Sequence, residues 1–133
     1  MIATEGTREE AIARNSAGKI KIVRLGGLWW DDNWITPALA YRVVPLERFS
    51  EVVIGGWNPD IEGMENNQLW VGLQNRSHSS PRLLRGASFE FSVPVIGGPS
   101  EPFDLTIATL SELAGDSQDI RSRGCHLYQI RFQ

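Results

Sequence analysis

Hydrophobic and polar residues alternate along most of the chain, starting at position 19. In the segment 19–25, Ile20 and Ile22 fall on one side while Lys19 and Lys21 fall on the other. A period of two is typical of a β-strand with one buried face. The same pattern recurs in the segments 38–44, 51–57, 67–76, 87–95, 103–110 and 125–132. We therefore predict seven to eight short strands.

The phase of the alternation also predicts which side chains face the core. Trp70 is expected to point away from the apolar side of its strand, and Leu127 is out of phase with Ile130 in the last strand. Gly55 and Gly56 lie inside the third strand. Because glycine inside a strand often marks a bulge or the close approach of another backbone, we predict one of these features there.

The segments between the strands are rich in the residues that favour turns. No helical pattern alternates with the strands, which excludes a parallel sheet with crossover helices. Short strands at this spacing predict an all-β fold, an antiparallel β-sandwich. Thr7 and Glu10 fit a helix capping box, so residues 1–18 are predicted to form a short helix or a disordered arm. Residues 19–133 are predicted to form a single domain.

Composition narrows the possible partners. The chain has 133 residues, 41% of them hydrophobic, and a net charge of −3 without a basic run. Nucleic-acid binders usually carry a Lys/Arg stripe, so no nucleic-acid partner is expected. No apolar run approaches the ~20 residues that a membrane span needs. Cys125 is the single cysteine, and the N-terminal residues lack a hydrophobic signal segment, so a cytoplasmic location is expected, the alternative being a signal segment that has been removed.

Nucleophilic and metal chemistry receive little support from the sequence. Cys125 and His126 are neighbours in a predicted strand, where their side chains point to opposite faces and cannot pair. The segment 58–63 resembles the first half of a calcium loop, but Leu69 occupies the position where the loop needs glutamate. A weak calcium site at Asp60 and Glu62, or at the two aspartates 31–32, remains an alternative to ordinary turn formation. No cofactor is predicted.

Paired carboxylates could hydrolyse a glycosidic bond if two of them flanked it at a set separation. Six acidic residues lie in predicted loops: Asp31, Asp32, Glu62, Glu65, Asp116 and Asp119. Any two loops at one end of a sandwich could supply such a pair. A glycan-active hydrolase is therefore kept as a third hypothesis.

The stretch "WWDDNW", residues 29–34, is the most unusual in the chain, because it contains three of the five tryptophans. Sugars stack their C–H faces on flat aromatic rings, while nearby acids and amides bind their hydroxyl groups. The stretch has that composition. Tryptophan also closes the ends of sandwich cores, so packing at a corner is the competing interpretation. We expect Trp29 and Trp30 to split, with one facing inward and one outward.

Read in order, several segments carry a wider pattern. They are Asp32-Asn33-Trp34 with Pro37, Tyr41 to Pro45, Gly56-Trp57-Asn58-Pro59, Leu69 to Leu73, Phe89 to Pro94, and Asp119-Ile120-Arg121-Ser122-Arg123-Gly124 with Leu127 and Ile130. This order resembles an accessory β-sandwich domain, often C-terminal, found in bacterial glycosyltransferases for surface polysaccharides. The resemblance implies a sandwich of the jelly-roll or carbohydrate-binding-module type.

The chain departs from the family's habit at three places, one of which is the segment between Leu110 and Asp119, where the family's aromatic–x–Pro element is absent. Asn33 stands where the family usually has glycine, and asparagine is the next best residue for a left-handed turn. The segment 74–76 replaces the family's common Asn-Gly hairpin, which predicts a longer loop there. The resemblance also implies that the two ends meet, with Arg121 pairing with Asp32 or Asp119 beneath the ring of Trp34.

The resemblance implies a non-catalytic accessory module of polysaccharide synthesis or modification, whose partners would be a glycan or a glycosyltransferase module. The candidate sugar-contacting or supporting residues are Trp29, Trp30, Asp32, Trp34, Asp119 and Arg121. The main alternative is an assembly module without sugar binding. In that case Trp70 would lie in a protein–protein interface, and the chain could form a homodimer.

Overall fold

The computed structural model describes residues 7–133 and confirms the predicted all-β antiparallel sandwich. Within those residues there are one helix and eight strands. Their bounds are α1 Arg8–Asn15, β1 Ile20–Gly26, β2 Ala38–Pro45, β3 Glu51–Asn58, β4 Leu69–Leu73, β5 Arg76–Ser79, β6 Ala87–Pro94, β7 Phe103–Thr109 and β8 His126–Phe132.

The strands form two antiparallel sheets that face each other across one core. The larger sheet has the order β1-β2-β7-β4-β5, and the smaller has the order β6-β3-β8. The order β2-β7-β4-β5 opposite β6-β3-β8 is that of a jelly roll, with β1 added beside β2. Alternate side chains of both sheets fill the space between them, among them Tyr41, Ile54, Leu105 and Ile130, each 1% exposed or less.

Helix α1 belongs to the same core. The Thr7 hydroxyl accepts a hydrogen bond from the backbone N–H of Glu10 at 3.0 Å, which confirms the predicted N-cap. The helix packs against β1 and β8, and its Ile12 is 1% exposed. After the helix, the Ser16 hydroxyl accepts from the N–H of Phe132 in β8 at 2.9 Å. The remainder of the predicted arm, residues 1–6, lies outside the described residues.

The segment 67–76, predicted as one strand followed by a loop, is a tight hairpin. Leu73 of β4 pairs with Arg76 of β5, so Gln74 and Asn75 alone make the turn. Both have positive φ, 52° and 62°, which is the geometry of a type I′ turn. The Gln74 side chain exchanges two hydrogen bonds with the backbone of Ile96, which offsets the cost of this conformation. The prediction of a longer loop is therefore wrong.

The predicted irregularity at Gly55–Gly56 is confirmed, and it corrects the phase of β8. Gly55 pairs with Gln129 and Gly56 with Leu127, so Tyr128 is an extra, unpaired residue. Because the bulge shifts the alternation by one, Leu127 faces the core together with Ile130. The prediction that these two residues face opposite sides is wrong.

Four long connections meet at one end of the sandwich, which we call the loop end. They are residues 27–37, 59–68, 80–86 and 110–125. The register explains the clustering: Trp70 at the start of β4 lies beside Ala108 near the end of β7, and Ala108 lies beside Ala38 at the start of β2. The connections at the opposite end of the sandwich are residues 46–50, 74–75 and 95–102. Every predicted sugar-contacting residue lies at the loop end.

Candidate functional site at the loop end

Two fully buried asparagines hold the loops of this end together. Asn67 donates through Nδ2 to the Gly124 carbonyl at 3.1 Å and to Asn58 Oδ1 at 3.0 Å. Its Oδ1 accepts from the N–H of Ser111 at 3.0 Å. Asn58 donates in turn to the Leu83 carbonyl at 3.2 Å. Sequence analysis missed this role, since both asparagines occur in a segment whose composition is that of a turn.

Residues 29–35 form a short hairpin, which we call the Trp hairpin. Trp29 pairs with Ile35, and two hydrogen bonds of 2.9 Å close the loop, from Asn33 N–H to the Trp30 carbonyl and from Trp30 N–H to the Trp34 carbonyl. Asn33 has φ 75°, which confirms the left-handed turn conformation predicted for it. A type I turn followed by a left-handed residue is a common three-residue hairpin loop.

The Trp hairpin extends the smaller sheet at the edge of β8. Trp34 pairs with His126, and Ile35 donates its N–H to the Cys125 carbonyl at 3.0 Å. Leu127 donates its N–H to the Asn33 carbonyl at 2.9 Å. The backbone of the hairpin is therefore held by hydrogen bonds to β8 and the residue before it, and the hairpin is not a free loop.

The three tryptophans of the hairpin differ in burial. Trp29 is 9% exposed, and its indole N–H donates to the Leu127 carbonyl at 3.2 Å. Trp34 is 8% exposed and packs edge-on against the His126 ring, with centroids 4.4 Å apart. Trp30 is only partly buried. Trp29 and Trp34 thus close the corner of the core, and Trp30 is the ring of the three that solvent reaches most.

Each of these rings has an arginine guanidinium over it, at a distance that allows cation–π attraction. The distances from Cζ to the ring centroid are 4.2 Å for Arg8 over Trp29, 4.7 Å for Arg121 over Trp30, and 5.3 Å for Arg123 over Trp34. The predicted position of Arg121 beneath Trp34 is therefore wrong. Arg121 lies over the ring of Trp30, and Arg123 occupies the position over Trp34 that the resemblance implied for Arg121.

Arg121 bonds both of its predicted acidic partners at once. It donates to Asp32 through Nη1 at 3.1 Å and through Nη2 at 2.8 Å. It donates to Asp119 through Nε at 2.9 Å and through Nη2 at 2.8 Å. Hydrogen bonds from Arg121 are the main reason that the pKa values of both carboxyl groups lie below their usual range. The pair that the resemblance implied is confirmed with both partners.

Arg8 is a site residue that sequence analysis did not find. From the first turn of α1 its guanidinium reaches the Trp30 carbonyl, and it donates to Asn33 Oδ1 at 3.1 Å. Burial lowers the pKa of its guanidinium. No local pattern connects a helix start with a turn 25 positions later, so only the fold reveals this contact.

Asp60 and Glu62, the residues of the weak calcium alternative, are not brought together as a ligand set. Arg85 donates to Asp60 Oδ1 at 2.8 Å and to Glu65 Oε1 at 2.7 Å, while Glu62 is exposed. Within residues 7–133 there is no group of three or more His, Cys, Asp or Glu side chains arranged to hold a metal ion. The loop 59–68 is therefore organised by Arg85 and by the buried Asn58.

The environments of Cys125 and of the loop carboxyl groups differ from those that nucleophilic catalysis or glycoside hydrolysis needs. Burial raises the pKa of the Cys125 thiol to about 12, and the side chain is fully enclosed, as expected for a small core residue. In the described chain, the carboxyl groups whose pKa values are shifted all have them lowered; they are Asp32, Glu65, Asp116 and Asp119. A general acid of glycoside hydrolysis needs the opposite displacement.

The geometry of the loop end is the basis for a functional assignment. Comparisons with models of known protein families, with curated proteins and with solved structures found no match. Helix α1, the helix of the described chain, is too short and too polar to cross a membrane. The resemblance to the glycosyltransferase-associated domain stays a prediction.

The outer face of the larger sheet presents the most exposed tryptophan of the described chain. Trp70 is 45% exposed, as its strand phase predicted. Its cross-strand neighbours, Ser79 and Ala108, are small. The ring therefore lies beside short side chains on the outer face of the sheet.

Proposed function

We propose that the protein is a non-catalytic, carbohydrate-binding-like accessory module of bacterial polysaccharide synthesis or modification. Its glycan contact is Trp30 with the surrounding edge of the Trp hairpin. The observation that carries the proposal is the support of a partly exposed indole by Arg121, which two carboxylates hold in place. A ring fixed in this way loses little conformational entropy when a sugar stacks on it.

The polar groups beside Trp30 suit a sugar as well. The Asp32 side chain is 51% exposed, and Asp31 is exposed next to it. Carboxylate oxygens accept hydrogen bonds from hydroxyl groups, while the indole covers a C–H face. Trp29 and Trp34, which are almost fully buried, support the hairpin from below and are not expected to touch the ligand.

A glycan array followed by calorimetric titration of the strongest ligand tests this proposal. We expect Trp30→Ala to weaken binding at least tenfold, which is about 1.4 kcal/mol. The matched control is Trp70→Ala, which removes an exposed indole from the outer sheet face and is expected to leave affinity within twofold. Equal losses in the two variants, or no binding of the wild type to any glycan, would refute the assignment.

A second candidate function is assembly through the outer face of the larger sheet. The 45% exposure of Trp70 among small neighbours favours it, because tryptophan is enriched among the residues that contribute most of the energy of protein–protein interfaces. Light scattering at increasing concentration tests this candidate. A dimer that Trp70→Glu dissociates would support it, provided that Tyr128→Glu does not. Tyr128 is a suitable control, since it is 51% exposed on the other sheet.

A further inference from the structure

The three arginines that lie over the rings of the Trp hairpin, Arg8, Arg121 and Arg123, donate to groups of the protein itself. A guanidinium has five N–H donors. Arg121 uses four of them on Asp32 and Asp119. One N–H remains, which is too few for the paired contact by which arginine recognises a carboxylate or a phosphate.

The other two arginines are engaged in the same way. Arg8 lies over Trp29 and donates to the hairpin turn. Arg123 bonds the Arg121 carbonyl through Nε at 3.2 Å, lies 3.3 Å from Asp119, and has a side chain that is only 13% exposed. Neither arginine presents an open fork of donors to a ligand.

The acceptors, by contrast, face solvent. Each Asp32 oxygen accepts one hydrogen bond from Arg121, and a carboxylate oxygen has room for a second. Asp31 is exposed, and in the described chain no cation lies within ion-pair distance of its carboxylate. The exposed rim beside Trp30 therefore offers hydrogen-bond acceptors, while the donors of the neighbouring arginines are largely used.

From this distribution we infer that the Trp30 site takes neutral glycans that offer a pair of adjacent hydroxyl groups, and that it excludes uronic acids and phosphorylated or sulfated sugars. This inference rests on the proposed function. Two adjacent hydroxyls can donate to the two oxygens of one carboxylate, as Asp32 presents them, while the ring covers the apolar face of the sugar. An anionic sugar would bring its negative charge beside the exposed carboxylates of Asp31 and Asp32, and none of the three arginines of the site would have an open pair of donors for it.

An array of matched pairs, each a neutral hexose glycan and its uronic-acid counterpart on the same linker, tests the inference with the full chain. We expect binding to the neutral member to exceed binding to the acidic member at least tenfold, and Trp30→Ala to abolish it. Asp31→Asn should narrow the difference between the two members, because it removes one exposed negative charge without touching the Arg121 network.

The possible failures are distinguishable. Binding of the acidic members in preference, with loss in Trp30→Ala, would overturn the inference on ligand class and leave the proposed function in place. Equal binding of both members with the same Trp30 dependence would overturn it too. Absence of binding to every member, with Trp30→Ala indistinguishable from wild type, would overturn the proposed function, and the inference with it.

Discussion

Arg121 and Asp32 are 89 positions apart in the sequence, yet the guanidinium donates two hydrogen bonds to the carboxylate, at 3.1 and 2.8 Å. The contact joins the Trp hairpin to the last long loop of the sandwich. Asp119 holds the same guanidinium from the loop's own side. Because a forked, doubly bonded arginine fixes direction as well as distance, this contact orients the ring of Trp30.

Replacing Arg121 tests that contact. We expect Arg121→Ala to lower the Tm by several degrees, and Arg121→Lys to recover only part of the loss, because an ammonium group cannot reproduce the fork. Arg42→Ala is the matched control. It removes the ion pair between Arg42 and Asp104, in which the two side chains are 51% and 49% exposed. Such exposed pairs contribute about 0–1 kcal/mol to stability. Equal Tm values for Arg121→Ala and Arg42→Ala would contradict a stabilising role.

Acid titration gives an independent measure of the same network. The pKa values of Asp32 and Asp119 are lowered from an ordinary value of 3.8. Their contribution to stability is therefore complete above about pH 4 and is lost as the pH falls through the folded-state pKa values. We expect urea unfolding to show a steeper loss of stability below pH 4 in the wild type than in Arg121→Ala. Parallel profiles for the two proteins would show that the carboxylates titrate independently of Arg121.

The two glycines of β3 should respond very differently to a methyl group. A Cβ at Gly56 would lie 2.2 Å from the His126 carbonyl oxygen and 2.7 Å from the ring of Phe89. We expect Gly56→Ala to cost about 3 kcal/mol or more, or to prevent folding. A Cβ at Gly55 would meet only the flexible side chain of Gln129, at 3.2 Å. Gly55→Ala should stay within about 1 kcal/mol of the wild type by thermal unfolding.

Asn67→Ala would leave the buried Gly124 carbonyl and Asn58 Oδ1, and two partly buried backbone N–H groups, without a partner. We expect a loss of about 2 kcal/mol in the free energy of unfolding, since each unsatisfied buried group costs about 1–3 kcal/mol. The adjacent Asn66 is exposed and serves as the control, with Asn66→Ala expected within about 0.5 kcal/mol of the wild type. Denaturant unfolding measures both. If the two alanine variants proved equally stable, the buried network would not hold the loops.

His126 should report on pH near the Trp hairpin. Its ring contacts Trp34 at 4.4 Å and Trp57 at 5.3 Å, and burial lowers its pKa from 6.5. Because the unfolded chain takes up the proton first, stability is complete above about pH 6.5 and falls below it. We expect tryptophan fluorescence to be quenched with a midpoint below pH 6.5. His126→Gln should abolish this transition, while His78→Gln should retain it. A transition that survives in His126→Gln would assign it to another group.

Sequence reasoning predicted most of the fold because period-two alternation is a local signal. It failed where the decisive partner is distant or the conformation unusual. Residues 74–75 contain no glycine, so the sequence does not predict two successive left-handed residues or the β4–β5 hairpin that they form. The phase of Leu127 depends on a bulge imposed by Gly56 of the neighbouring strand.

The candidate site shows the same division between local and distant information. The composition of residues 29–34 drew attention to the Trp hairpin, but composition does not say which ring is buried. Pairing of Arg121 with an aspartate was implied by the family resemblance. Which arginine lies over which ring, and the reach of Arg8 from α1, depend on the path of distant segments that only the coordinates reveal.

The pairing of the Trp hairpin with the start of β8 has a consequence for the order of events during synthesis. Trp29 leaves the ribosome long before Leu127, its hydrogen-bond partner 98 positions later in the chain. Until the last strand arrives, the indole rings have neither the ladder of β8 nor the arginines of the final loop to cover them. A nascent chain released before residue 124 would expose this aromatic cluster to solvent. Chaperones bind such surfaces, and a chain that no chaperone binds is prone to aggregate through them.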